Sequence, residues 1–188
     1  MKMKNRKLFA IVAIALLAFI IAIFILHSNE GGSSSKFINL SIGMPAPNYG
    51  FFSSNGSSEN ISQYRGHEIL LWFVATWCPS CAQGNQVINS NYLFFKQHHV
   101  KIIEFELYKD LGYSGPPIQG FVNSYAPAAY ANATVMPAYA GYNMTEEYDP
   151  QGYLDIYYLI SKNGTILYIN GSPSVTIGDL ESAINSSL

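Results

Sequence analysis

Hydrophobic and polar positions divide the chain into segments of different character. Met1 to Lys7, "MKMKNRK", is polar and carries Lys2, Lys4, Arg6 and Lys7. From Leu8 to Leu26 every residue is apolar. At about 1.5 Å per helical residue, that run reaches the roughly 30 Å of a bilayer core. It is longer than the apolar core of a cleavable signal peptide and lacks an A-x-A-like end, so it reads as an uncleaved transmembrane anchor. Residues 27–36 follow as a flexible linker, with Gly and Ser through "SNEGGSSSK". Residues 37–188 are long enough to bury one core of their own.

Within 37–188 the periodicity changes repeatedly. "HEILLWFVA" is apolar without alternation, the pattern of a strand covered on both faces. Val87, Ile88, Tyr92 and Phe95 then recur at helical spacing, predicting one helix from about Pro79 to Gln97. "VKIIEFELY" reads as the next strand. "GFVNSYAPAAYA" and "GYNMTEEY" read as short helices around a weak strand near "ATVMP". "IYYLIS" and "TILYIN", joined by "NG", predict a hairpin with a two-residue turn. Ile177, Leu180 and Ile184 mark a closing helix. Strand, helix, strand, helix, then hairpin and helix implies an α/β fold with a mixed sheet flanked by helices on both faces.

Composition adds sidedness. Net charge is −2 with 12% charged residues, which excludes an electrostatic nucleic-acid partner. The basic N-terminal flank should stay in the cytoplasm, placing a single-pass protein in the cell membrane with residues 37–188 outside. Asn-x-Ser/Thr triplets begin at Asn39, Asn55, Asn60, Asn132, Asn143, Asn163, Asn170 and Asn185. Such a set points to an extracytoplasmic glycoprotein, although "KNGT" is equally a hairpin turn.

Three segments carry a resemblance. "IGMPAPNYGFF" (Ile42–Phe52), "ISQYRGHEILLWFVATWCPSC" (Ile61–Cys81) and "YDPQGYLDIYYLISKNGTILYING" (Tyr148–Gly171) resemble membrane-anchored thioredoxin-like thiol–disulfide oxidoreductases of the TlpA/ResA type. The resemblance implies a thioredoxin-like fold over roughly residues 40–188 and exchange with protein thiol and disulfide substrates, fed by an electron donor or acceptor. It also exposes three departures. Leu154 stands where the family has a cis-proline, with Pro137 and Pro150 displaced. Trp72 takes the place of a buried acid below the site in thioredoxins, and Gly84 that of an acid three residues after the second cysteine. An acid beneath the cysteines is therefore expected to be missing, and Leu154, after a trans bond, is expected to shape the substrate loop from beside the pair.

Cys78 and Cys81 are the only cysteines, two residues apart at the predicted strand-to-helix junction. Free N–H groups at a helix start stabilise a thiolate. Cys78 is thus the expected nucleophile, and Cys81, one turn in, the resolving thiol of a redox disulfide Cys78–Cys81. Pro79 suits the first turn, and Trp77 should shield the site and offer an apolar landing surface. No cofactor is called for. A zinc site is disfavoured because tetrahedral zinc wants four ligands, and His98 and His99 fall roughly 25 Å away by helical rise. Two other classes stay open on the same scaffold: a copper-handling protein binding Cu(I) through both thiolates, and a non-catalytic binding module with a static disulfide.

Overall fold

The computed structural model describes residues 39–187. The expected anchor at Leu8–Leu26 and the linker lie outside the described residues, among which no helix is long and apolar enough to cross a membrane.

The described chain builds strands β1 (Gly50–Ser53), β2 (Ser58–Asn60), β3 (Glu68–Val74), β4 (Val100–Glu106), β5 (Val135–Tyr139), β6 (Ile156–Ile160) and β7 (Ile166–Gly171). They form one mixed sheet in the order β2-β1-β5-β4-β3-β6-β7. The helices are α1 (Pro79–Ser90), α2 (Tyr92–Gln97), α3 (Ile118–Tyr125), α4 (Pro127–Ala131), α5 (Tyr142–Tyr148) and α6 (Pro173–Ser187).

β3 is central because its sequence allows nothing else: all seven residues are buried. It pairs parallel to β4, with Leu70 opposite Ile102, and antiparallel to β6, with Leu71 opposite Tyr158. Successive side chains leave a strand on opposite faces, so β3 feeds two cores. Leu70, Trp72 and Val74 pack with Ile102, Leu159, Ile88 of α1 and Leu180 of α6. Ile69, Leu71 and Phe73 pack with Ile103, Phe105, Tyr158 and Tyr148 of α5. Truncating a fully buried residue such as Ile88 to alanine should cost about 2–5 kcal/mol. The mixed sheet covered on both faces is as the pattern predicts.

Two local expectations change. The helix predicted over Pro79–Gln97 is two helices, broken at Asn91, whose backbone leaves helical geometry at φ −108° and ψ 12°. Its amide group donates to the Val87 carbonyl at 2.8 Å and so closes α1. The β6–β7 hairpin does not have a two-residue turn: Gly164 N–H bonds back to the Ser161 carbonyl and Gly164 takes φ +88°. That is a longer turn with a residue only glycine occupies easily. The β1–β2 hairpin also escaped the pattern, because "SSNGSSEN" offers no alternation to read.

Candidate active site

β3 delivers the chain to the cysteines through Ala75, Thr76 and Trp77. Cys78 is the N-cap of α1, in extended conformation, with Pro79 in the first turn as expected. Its sulfur accepts the Cys81 N–H at 3.3 Å and lies 3.1 Å from Ser80 Oγ. A sulfur here does the work of the usual capping oxygen, which favours its charged form. Both cysteines are free thiols. The Cys81 thiol hydrogen-bonds to Cys78 and, against the opposing effect of burial, with help from Ser80 and the backbone, brings Cys78 down to about 6. The same bond, burial and the nearby Asp155 charge push Cys81 far up. The two thiols are thus split, the outer one anionic near neutrality and the inner one protonated. Cys78 is nonetheless only 2% exposed.

A strained turn forms the rim. Lys109, Asp110 and Leu111 all have left-handed backbone, at φ 51°, 53° and 57°. Non-glycine residues there cost on the order of 1 kcal/mol each. The offset is Asp110, whose carboxylate accepts from Thr76 N at 2.8 Å and from Thr76 Oγ1 at 2.7 Å. The Asp110 carbonyl also accepts the Trp77 indole N–H at 2.8 Å. Tyr113 lies against Trp77 with ring centroids 4.8 Å apart and planes tilted by 53°. Gly115 allows this closeness, since a Cβ there would lie 2.0 Å from Thr76 Oγ1. Trp77, directly before Cys78, is thus fixed by the anchored loop.

Beneath the cysteines the expected absence of an acid is corrected. Asp155, the residue immediately before β6, is fully buried, and its Oδ1 accepts the Trp72 indole N–H at 2.9 Å. Trp72 and Gly84, read as the loss of an acid, instead make room for one: a Cβ on Gly84 would lie 3.3 Å from Asp155 Oδ1. Burial, above all, raises the Asp155 carboxyl to about 7, with the Cys78 charge adding and the Trp72 donor opposing. A second buried acid, Glu104 of β4, sits opposite Trp72 in register and accepts from Asn85 Nδ2 at 2.7 Å. The same amide group reaches the Cys81 carbonyl at 3.2 Å. Burial raises Glu104 to about 8, and Asp155 contributes.

The segment before β6 also carries Leu154, expected to follow a trans bond and to shape the substrate loop from beside the pair. Leu154 is half-buried, follows a trans bond and packs against both cores, one of which contains the cysteines. The polar group brought to Cys81 is its neighbour's. Pro137 lies within β5, opposite Glu104. Counting back from the start of β6 would have found Asp155, and a lone glutamate inside the apolar "VKIIEFELY" was the signal for Glu104. His98 ends α2, its ring bonded to the Phe94 carbonyl at 2.8 Å. Among the described residues no group of three or more His, Cys, Asp or Glu is arranged to hold a metal ion.

Sheet order, the helix that starts at a cysteine, and the solved structures agree. A protein from Chlorobium tepidum assigned as thiol:disulfide interchange protein DsbE superposes with a TM-score of 0.60 at 20% identity, over 79% of this chain and 98% of that one. The fold is thioredoxin-like. The same thioredoxin-like fold relates this chain to copper-bound ScoI of Arabidopsis thaliana, at a TM-score of 0.54 and 15% identity over 78% and 99% of the two chains. No protein-family profile matches the chain. Among curated proteins it is 29% identical over 103 residues to the thiol-disulfide oxidoreductase ResA of Bacillus cereus, covering 55% of this chain and 57% of the relative. The thioredoxin-like chain thus spans little more than half the length of the curated relatives it matches first.

Proposed function

We propose that this protein is a membrane-anchored thiol–disulfide oxidoreductase whose domain works outside the cytoplasm and exchanges disulfides with protein substrates through Cys78 and Cys81. The observation that carries the reading is the split between the two thiols: Cys78 caps α1 and is lowered to about 6, while buried Cys81 is held protonated. A Cys78 thiolate attacks a substrate disulfide, one substrate sulfur leaves as thiolate, and a mixed disulfide forms. Cys81 then attacks Cys78, releasing the second substrate thiol and leaving Cys78–Cys81 oxidised. Electrons come from thiols throughout, so a redox partner is needed and a cofactor is not. The likeness to ResA supports the chemistry.

The basic flank and the Leu8–Leu26 run support the anchor and its direction. Asn39, Asn55, Asn132, Asn143, Asn163 and Asn185 are exposed and open to glycans.

The test uses full-length protein in detergent. Wild type reduces a protein disulfide, and Cys81→Ser accumulates a mixed disulfide through Cys78. A reduced protein in which Cys81 is alkylated first would sink the assignment of roles. For topology, protease added to intact cells should remove the domain, and full protection or recovery of a soluble processed form would reverse that part.

A further inference from the structure

One face of the sheet carries a row of side chains that exchange by the cysteines does not use. Phe52 of β1 lies opposite Tyr139 of β5, and Tyr139 lies opposite Glu106 of β4. Residues in register share a face on strands about 5 Å apart, so two rings and a carboxyl line up across neighbouring strands. Gly50, two residues before Phe52 and thus on the same face, has no side chain to cover the row. Tyr108 adds a third ring, met edge-on by Tyr142 with centroids 5.7 Å apart. Phe52, Tyr108 and Tyr139 are all exposed. With Glu106 they line a groove of about 450 Å³. Aromatic surface gathered in one exposed place marks a binding site.

Charge decides what the groove takes. Glu106 is half-buried. Burial, and then the Asp110 charge, raise its carboxyl to about 6, with the Ile118 backbone opposing. Among the described residues, none of the groups acting on it is a cation. Lys109, on the groove's edge, shows how a cation meets this surface: its ammonium lies 5.2 Å from the centre of the Tyr108 ring. Ring faces are negative and attract cations. An anionic ligand would be repelled by Glu106, and an apolar one would desolvate that carboxylate without pairing it. The groove also adjoins the cysteines. Glu106 stands opposite Val74, four residues before Cys78. Tyr108 and Lys109 run directly into Asp110, which is bonded to Thr76.

We propose that this groove is a subsite for a basic side chain of the protein substrate, an arginine or lysine whose cation lies against the rings and pairs with Glu106. The proposal rests on the exchange reading above and adds a rule of selection to it. Cys78 meets the substrate disulfide while Glu106 reads a basic residue near it. Arginine suits the groove better than lysine, because a planar guanidinium stacks on a ring and donates two parallel hydrogen bonds to a carboxylate.

The test uses full-length reduced protein in detergent and short peptides whose single cysteine carries a chromogenic aromatic thiol as a mixed disulfide. The Cys78 thiolate attacks the peptide sulfur, and the aromatic thiolate leaves and is read by absorbance. An arginine is stepped along the peptide on either side of the cysteine, and citrulline replaces it as the neutral control. At the best position, kcat/KM for arginine should exceed that for citrulline about tenfold, with the difference in KM. Glu106→Gln should bring the ratio to about one. Equal use of both peptides by wild type, or a preference retained in Glu106→Gln, would overturn the proposal. No thiol release from any peptide would instead defeat the exchange reading. In that case, or should the variant misfold, wild type decides by coupling. A water-soluble carbodiimide should join a lysine peptide, with serine in place of its cysteine, to the Glu106 carboxyl. Coupling confined to other carboxyls ends the idea.

Discussion

Gly84 and Trp72 touch so closely that a Cβ on Gly84 would stand 2.8 Å from the indole Cζ2. The glycine sits inside α1, where it forfeits about 1 kcal/mol of helix propensity relative to alanine. The indole cannot yield easily, since it is fully buried and its N–H is committed to Asp155. Gly84→Ala should therefore destabilise the protein by about 1–3 kcal/mol despite the better helix former. Denaturant titration checks the size, and tryptophan emission checks that the indole has moved. An unchanged or raised midpoint would show that the floor of the site is looser than its geometry implies.

Cys78 gives a prediction whose sign follows from its direction of shift. Its folded value near 6 lies below the unfolded thiol value of about 8.5. The reduced protein thus holds fewer protons than the unfolded chain between those pH values. Stability from this group is fully present above about pH 8.5 and is lost as pH falls through about 6. Reduced wild type should gain stability across that window relative to Cys78→Ser. Rapid alkylation against pH should show half-reaction near pH 6 for Cys78 and none for Cys81 in the same range.

The buried acids act in the opposite direction. Folded values near 7 for Asp155 and 8 for Glu104 lie above unfolded values of about 3.9 and 4.3. The folded state then holds extra protons, so stability falls as pH rises from about 4 toward the folded values. In the oxidised protein, where the cysteines do not titrate, wild type should weaken from pH 5 to 8, to about the folded Glu104 value, and Glu104→Gln should flatten the upper part of that slope. A wild-type curve flat over the interval would contradict the burial argument.

Asp110 holds the rim loop in its left-handed turn. Asp110→Ala removes two hydrogen bonds to Thr76 and leaves the Thr76 N–H without its partner. A loss of about 2–4 kcal/mol is expected, from hydrogen bonds to a charged group and the desolvated amide left behind. Proteolysis should move to residues 108–115, and the emission of Trp77 should change as Tyr113 departs. Cleavage that stays elsewhere would mean the loop is held by other contacts.

Much of the sheet was legible because burial on both faces leaves a plain mark: seven apolar or enclosed positions in β3 and an apolar β6 cannot be mistaken for loops. The cysteine pair was legible because the chain uses cysteine nowhere else. Asn91 was not, since a break made by one polar side chain leaves helical periodicity intact on either side. Asp155 was not, because a one-residue shift at the start of a strand exchanges a core leucine for a buried acid. Glu104 and Asn85 depend on two elements meeting 19 positions apart, and the linear pattern carries no record of that meeting. The polar floor was the part hidden from sequence, since tertiary contact creates it.

At 2% exposure Cys78 separates ionisation from access. A thiolate this acidic on an open surface would be quickly oxidised by peroxide toward sulfinic acid. Here a first oxidation to sulfenic acid leaves the Cys81 thiol one turn away and little room for a second oxidant. Condensation of the two sulfurs, with loss of water, closes the disulfide and halts the ladder at a reversible rung. An enclosure of this kind is expected to leave the pair resistant to irreversible oxidation.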